Sequence, residues 1–346
     1  MKALQKTAMG PGHVAVVEVP EPEPGRNQVR IRTARAGICG TDLHILHGAF
    51  AKVRPPVTLG HEVAGTVDAV GEGVIDWRPG DRVTVESEAQ SCGGCSMCRS
   101  GRSNLCPDRL ALGYGVDGGF ADALVVRRDA LHRLPDGVSF QEGALCEPLA
   151  VAVHAVSERS RVEPGDWVLV TGPGPIGLLV LQVARDAGGN VIITGTGRDQ
   201  ERLRLAENLG AQAVVQVDAE DLQERVAQIT GGRLPTLAFE CSGVGAAVND
   251  CLACLRNGGE MIQVGLCGCS IPVEMDRIAL KEIVLKGAFV HTRETWKRAL
   301  ALMAAKRIDL GALVSGEFGI DSWEEAFRLS ESGQGVKYLL YPEAAG

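Results

Sequence analysis

With 346 residues, 45% of them hydrophobic and 23% charged, the chain is long enough for two domains that each bury a core. A net charge of −8 and an aromatic content of 4% exclude the basic, base-stacking surfaces of a nucleic-acid-binding protein. No run reaches the roughly 18 apolar residues of a membrane span, and the opening MKALQKTAMGPGHVAVVEVPEPEPG carries no apolar signal region, so a cytoplasmic protein without a membrane partner is expected.

The chain begins with short β-type runs: QVRIRTARAG, EVAGTVDAVGEGV, GDRVTVES and GFADALVVRRD. Valine and isoleucine alternate with polar residues, and Gly or Pro closes most runs, which predicts an irregular, barrel-like β domain. Two pieces of this region carry candidate chemistry. AGICGTDLH, residues 36–44, offers Cys39, and LGHEVAGTV, residues 59–67, offers His61 and Glu62. A thiolate, an imidazole and a carboxylate with one position left open form the donor set of a catalytic zinc. Such an ion polarises an alcohol or carbonyl oxygen. The Thr41 hydroxyl is placed to take a substrate proton and His44 to pass it to solvent. Glu62 is assigned to the catalytic set as well as to the metal set.

Next comes ESEAQSCGGCSMCRSGRSNLCPD, residues 86–108, in which Cys92, Cys95, Cys98 and Cys106 follow C-x2-C-x2-C-x7-C spacing. A reducing cytosol disfavours structural disulfides, and eleven cysteines is an odd number. Four thiolates with no histidine make a closed site, hence a structural zinc.

The texture changes near residue 150. LAVAVHAVSERS reads as a helix, and short apolar strands then alternate with amphipathic helices through VLVTGPGPIGLLVLQVARDAGG, NVIITGTG, DQERLRLAENLGA, AVVQV, TLAFECSG, AAVNDCLACLRNGG, EMIQVGL and EIVLKGAFV. This is the pattern of a doubly wound parallel sheet in an α/β fold. Gly172, Gly174 and Gly177 form G-x-G-x-x-G between a strand and a helix opened by Pro175 and Ile176. In that setting the motif is a dinucleotide fingerprint, with diphosphate at the helix N-terminus. No acidic residue ends the second strand. Gly195, Thr196 and Arg198 stand there instead, and small residues followed by Arg favour NADP over NAD. Cys251 and Cys254 share one helix face and read as core. The tail from ETWKRALALM onward, with two helical stretches and a final apolar run, breaks the alternation.

CGTDLH, GHE, the four-cysteine loop, CEPLAVAVHA and GPGPIG occur in that order, and the set resembles the zinc-dependent medium-chain dehydrogenase/reductase family, in particular its polyol (sorbitol-type) and L-threonine dehydrogenase branches. The resemblance implies a GroES-like β-rich catalytic domain over residues 1–149, a Rossmann domain over 150–288, and a return to the catalytic domain over 289–346. It implies one catalytic and one structural zinc per chain, brings Glu147 into the metal sphere, and suggests a homo-oligomer, tetramer or dimer. The implied reaction is hydride transfer between a small-molecule secondary alcohol or its ketone and NAD(P). Two features depart from the branch. Gly195 stands where NAD-specific members carry an acid, and residues 287–295 do not place an arginine as sorbitol-type enzymes do. The competing readings are a zinc-independent quinone or enoyl reductase of the same fold and a non-catalytic structural or cofactor-sensing relative.

Overall fold

The computed structural model describes residues 1–342 and divides into two compact units. The first comprises Met1–Glu147, Thr292–Ala305 and the chain from Leu310 onward, and the second Pro148–His291 with Lys306–Asp309.

The first unit is built on a seven-stranded mixed sheet. Its long strand Gln28–Gly37 pairs antiparallel with Glu62–Val70 and Ala123–Arg127. These are the runs in which alternating Val and Ile predict a strand, and Val29, Ile31, Val63 and Val67 point into the core. The last described strand, Lys337–Tyr341, completes the sheet by pairing Leu339 with Gly37 and Leu340 with Ala36. A strand not apparent in the sequence, Val314–Gly319, lies parallel to it. The tail thus fails to extend the helix–strand alternation because its strands pair with a sheet whose other members lie 200 to 300 residues earlier. Trp296 is fully buried, and Trp323 packs edge-on against Phe327.

The second unit is a six-stranded parallel sheet in the order Ala213–Gln216, Asn190–Gly195, Trp167–Thr171, Leu237–Glu240, Glu260–Gln263 and Val284–Gly287. The order reverses at Trp167–Thr171, which makes the end of that strand the topological switch point where doubly wound sheets bind ligands. Cys251 and Cys254 are buried on one face of the helix Gly245–Cys254, as their spacing predicts. The helix Leu222–Thr230, absent from the sequence reading, fills the connection between the strands Ala213–Gln216 and Leu237–Glu240. Four residues of the tail, Lys306–Asp309, join this unit. Gln182 exchanges two hydrogen bonds with the Asp309 backbone, and Arg307 pairs with Asp186. Among the described residues no helix is long and apolar enough to cross a membrane.

Candidate active site

Cys39 is the N-cap of the short helix Gly40–Leu46, so its side chain stands at the point where the strand Gln28–Gly37 has just ended. Glu62 opens the neighbouring strand Glu62–Val70, His61 immediately precedes it, and Gly37 is the register partner of Glu62. A Cβ at Gly37 would lie 2.0 Å from a Glu62 carboxylate oxygen, so only glycine leaves room for that side chain. The ligand atoms of Cys39, His61 and Glu62 consequently all lie within 4.8 Å of one another. Glu147, at the start of the helix Cys146–Val153, falls outside that set; its carboxylate accepts a hydrogen bond from Ser87 Oγ at 3.1 Å.

The electrostatics are unbalanced. Burial works against the imidazolium of His61, but the negative charges of Cys39, Asp42 and Glu147 outweigh it and hold its pKa well above the ordinary value. Burial pushes the carboxyls of Asp42 and Glu147 up. Among the described residues the fixed cation at the site is Lys337, buried on the strand Lys337–Tyr341. Its Nζ donates to both Glu62 oxygens and to Ile38 O, each at 2.8 Å. Burial disfavours its ammonium, yet Glu62, Cys39 and Glu147 keep its pKa above that of a free lysine. Asp42 Oδ2 accepts the Cys39 N–H at 2.9 Å, while Asp42 Oδ1 and His61 Nδ1 are buried without hydrogen-bond partners. Four acidic groups around one imidazole and one ammonium, with two orphaned polar atoms, suit a divalent cation on soft and borderline donors. Asp42 and Lys337 were missed from sequence. Asp42 lies inside the quoted CGTDLH and is read from its N-cap geometry, whereas Lys337 is 275 residues from Glu62 and leaves no local signal.

Lys337→Met is expected to destabilise the metal-free protein by about 3–5 kcal/mol, because it strands a buried carboxylate. Chemical denaturation of the chelator-treated protein measures this. The double variant with Glu62→Gln should recover most of the loss, and additive losses would contradict a direct coupling.

Thr41 Oγ1 lies 3.8 Å from Cys39 Sγ, and His44 is exposed three residues further on the same helix. Arg293 is the first residue of the helix Arg293–Ala304 and is engaged by Asp129 at 3.2 Å and Glu86 at 3.7 Å, which accounts for it as a structural residue.

The four loop cysteines also converge, with their sulfurs within 4.8 Å of one another. Cys95 and Cys98 sulfurs are 3.5 Å apart and those of Cys92 and Cys98 are 3.9 Å apart. A tetrahedron with bonds of about 2.3 Å has edges of about 3.8 Å. Backbone N–H groups of Cys92, Cys95 and Cys98 point at sulfurs of the set, and the Gly94 and Cys95 amides draw the Cys92 thiol down to about 7.

In the second unit each fingerprint glycine has its own reason. Gly172 has φ +87°, and a Cβ there would lie 2.7 Å from Ser242 Cβ. Gly174 has nothing within 4 Å of an added Cβ and is open to an approaching ligand, whereas at Gly177 a Cβ would lie 1.9 Å from Gly172 O. Pro175 occupies the first turn of the helix Pro175–Asp186. It needs no donor there, while the first-turn amides of Ile176 and Gly177 lack intrahelical acceptors. The buried Glu240 carboxylate accepts the Ser242 and Gly243 amides at 2.7 and 3.0 Å and Gln263 Nε2 at 2.5 Å, bracing the loop against Gly172. Gly195 ends the second strand, Thr196 is half-buried, and Arg198 is exposed without a hydrogen bond or ion pair among the described residues.

Residues 25–136 match the model of the alcohol dehydrogenase GroES-like domain, and residues 175–305 that of the zinc-binding dehydrogenase domain. The chain is 43% identical over 343 residues to a sorbitol dehydrogenase of Halalkalibacterium halodurans, covering 99% of both proteins. It belongs to the zinc-dependent medium-chain dehydrogenase family. A D-arabitol-phosphate dehydrogenase of Enterococcus avium is 36% identical, over 98% of this chain and 97% of the relative. Among solved members, a zinc-binding dehydrogenase from Sinorhizobium meliloti bound to NADP superposes with a TM-score of 0.91 at 35% identity, covering 99% of each chain. The medium-chain dehydrogenase fold expected from the motifs, a GroES-like domain with a Rossmann-type parallel sheet, is therefore present.

Proposed function

We propose that this medium-chain dehydrogenase oxidises a secondary alcohol, a polyol, sugar derivative, diol or amino alcohol, reversibly with NAD(P). The observation that carries the reading is the convergence of Cys39, His61 and Glu62 within 4.8 Å, together with the polyol dehydrogenases among its relatives. The zinc-independent reductase has no use for such a donor set.

Cys39, His61 and Glu62 would hold a catalytic zinc, with Asp42 and Glu147 adding negative charge beside His61. Zinc, when bound, polarises the alcohol oxygen and lowers the pKa of its proton. The nicotinamide cofactor supplies the hydride chemistry. Thr41 receives the hydroxyl proton, and His44, one turn on and exposed, delivers it to solvent. Cys92, Cys95, Cys98 and Cys106 would hold a second, structural zinc. Gly172, Gly174, Pro175, Ile176 and Gly177 form the cradle for the cofactor diphosphate. At the turn Gly195–Thr196, Arg198, exposed and without an ion pair among the described residues, favours NADP, and the cofactor of the S. meliloti relative supports that preference.

The edge strand Val284–Gly287 exposes Val284 at 48% and Leu285 at 46% beside an exposed Leu280. An uncovered apolar edge of this kind supports a homo-oligomer, dimer or tetramer. A cytoplasmic location completes the proposal.

Initial rates over polyols, sugars, diols and L-threonine, each with NAD and NADP, test the reading. Turnover on one class is expected. Silence across the panel despite bound zinc and cofactor would overturn the substrate classes, and failure to bind either cofactor would overturn the dehydrogenase.

A further inference from the structure

The residue that ends the second Rossmann strand reads the adenosine ribose, by an acid that accepts its 2′-hydroxyl or by a cation that accepts a 2′-phosphate. Here the absence of an acid has a packing cause. A Cβ at Gly195 would stand 2.9 Å from Pro173 Cγ and 3.1 Å from Asp199 Cβ, so a side chain there would crowd the fingerprint loop. Glycine at 195 therefore has a packing reason that is independent of the cofactor.

Carboxylates nevertheless reach the turn, from two other directions. Asp199 Oδ2 accepts both the N–H and the hydroxyl of Thr196 at 2.9 Å, and its other oxygen lies 3.8 Å from the Arg202 guanidinium. Asp218 follows the neighbouring strand, two residues past Gln216, the register partner of Gly195. Both of its oxygens lie 3.0 Å from the Gly197 N–H. That approach depends on Gly197, where an added Cβ would lie 3.3 Å from Asp218 Oδ2 and 3.1 Å from Gln216 Nε2. Asp218 is exposed and has no cation partner among the described residues, and Arg198, the nearest cation in sequence to Gly197, is likewise unpaired. The Thr196 amide and hydroxyl and the Gly197 amide are thus already held by carboxylates.

We infer that Asp218, rather than position 195, is the residue that sets the choice between NAD and NADP. Its carboxylate holds the Gly197 amide that a 2′-phosphate would take and repels that phosphate, while it can accept a ribose 2′-hydroxyl. Arg198 acts in the opposite sense. This rests on the reading of the second unit as a nicotinamide-cofactor site and adds the residue that discriminates within it.

Asp218→Asn removes the charge and keeps an oxygen to accept the Gly197 N–H, so the turn is preserved. Fluorescence titration with NADH and NADPH reads binding without requiring turnover, and kcat/KM for NAD and NADP is measured beside it. The variant is expected to shift the NADPH-to-NADH affinity ratio toward NADPH by about tenfold, with the same shift in the kcat/KM ratio. Arg198→Ala should shift both ratios the other way. An unchanged ratio in Asp218→Asn, or an equal loss for both cofactors, would overturn the inference while leaving the dehydrogenase reading intact. Binding of neither cofactor by the unmodified protein would overturn both.

Discussion

Cys39→Ser is expected to abolish turnover, by at least about a thousandfold, and to release one equivalent of zinc while the four-cysteine loop keeps its own. The magnitude follows from the role of the ion. Lewis-acid stabilisation of the reacting oxygen is worth several kcal/mol, and each 1.4 kcal/mol is about tenfold in rate. Serine is a poor exchange for cysteine here because a hydroxyl is not ionised near neutral pH and is a harder donor than a thiolate. The neighbourhood makes the loss worse. His61, Asp42, Glu62 and Glu147 are buried with Lys337 as the fixed cation against them, so a zinc ion held there would also supply counter-charge. Elemental analysis paired with steady-state rates decides the matter. Full zinc content and full turnover in Cys39→Ser would remove the proposed catalytic centre.

The second large effect belongs to the four-cysteine loop. Between Cys92 and Cys106 no side chain joins the apolar core of the first unit, and Leu105 is exposed at 44%. The segment has short helices at Ser96–Arg99 and Ser103–Leu105, too short to persist alone. An ion held by the sulfurs would therefore tie the segment down. Structural zinc supplies on the order of 10 kcal/mol in small metal domains, against about 5–15 kcal/mol for a whole folded protein. Cys98→Ser is expected to lose one zinc equivalent, to open the loop to proteolysis between residues 92 and 106, and to lower the melting temperature by about 10 °C or more. The rate per folded molecule should change far less than in Cys39→Ser. An unaltered digestion pattern and zinc content would show that the thiols hold no ion.

The four-cysteine loop is legible because its four sulfurs lie within 15 residues, and the fingerprint glycines because their spacing falls within one strand-to-helix turn. Cys39, His61 and Glu62 are legible as candidates because they flank paired strands, yet their meeting requires the register that sets Gly37 against Glu62. Lys337 is not legible. It arrives because the C-terminal strand pairs with Gln28–Gly37, and nothing near residue 337 in the sequence announces Glu62 as its partner. Gly195 was legible as a missing acid but not as a packing requirement, since Pro173 meets it only when the fingerprint loop folds over the strand end.

The sequence by itself determined the class of fold, the two metal-type donor sets and the dinucleotide turn, because hydrophobic period, close cysteine spacing and glycine placement act over one element or one loop. The tertiary structure alone decided which charges surround the catalytic donors, that the tail completes the first sheet, and that Asp218 reaches the Gly197 amide. Each of these depends on strand pairing between distant segments, which is set by the burial of whole sheet faces rather than by any local preference.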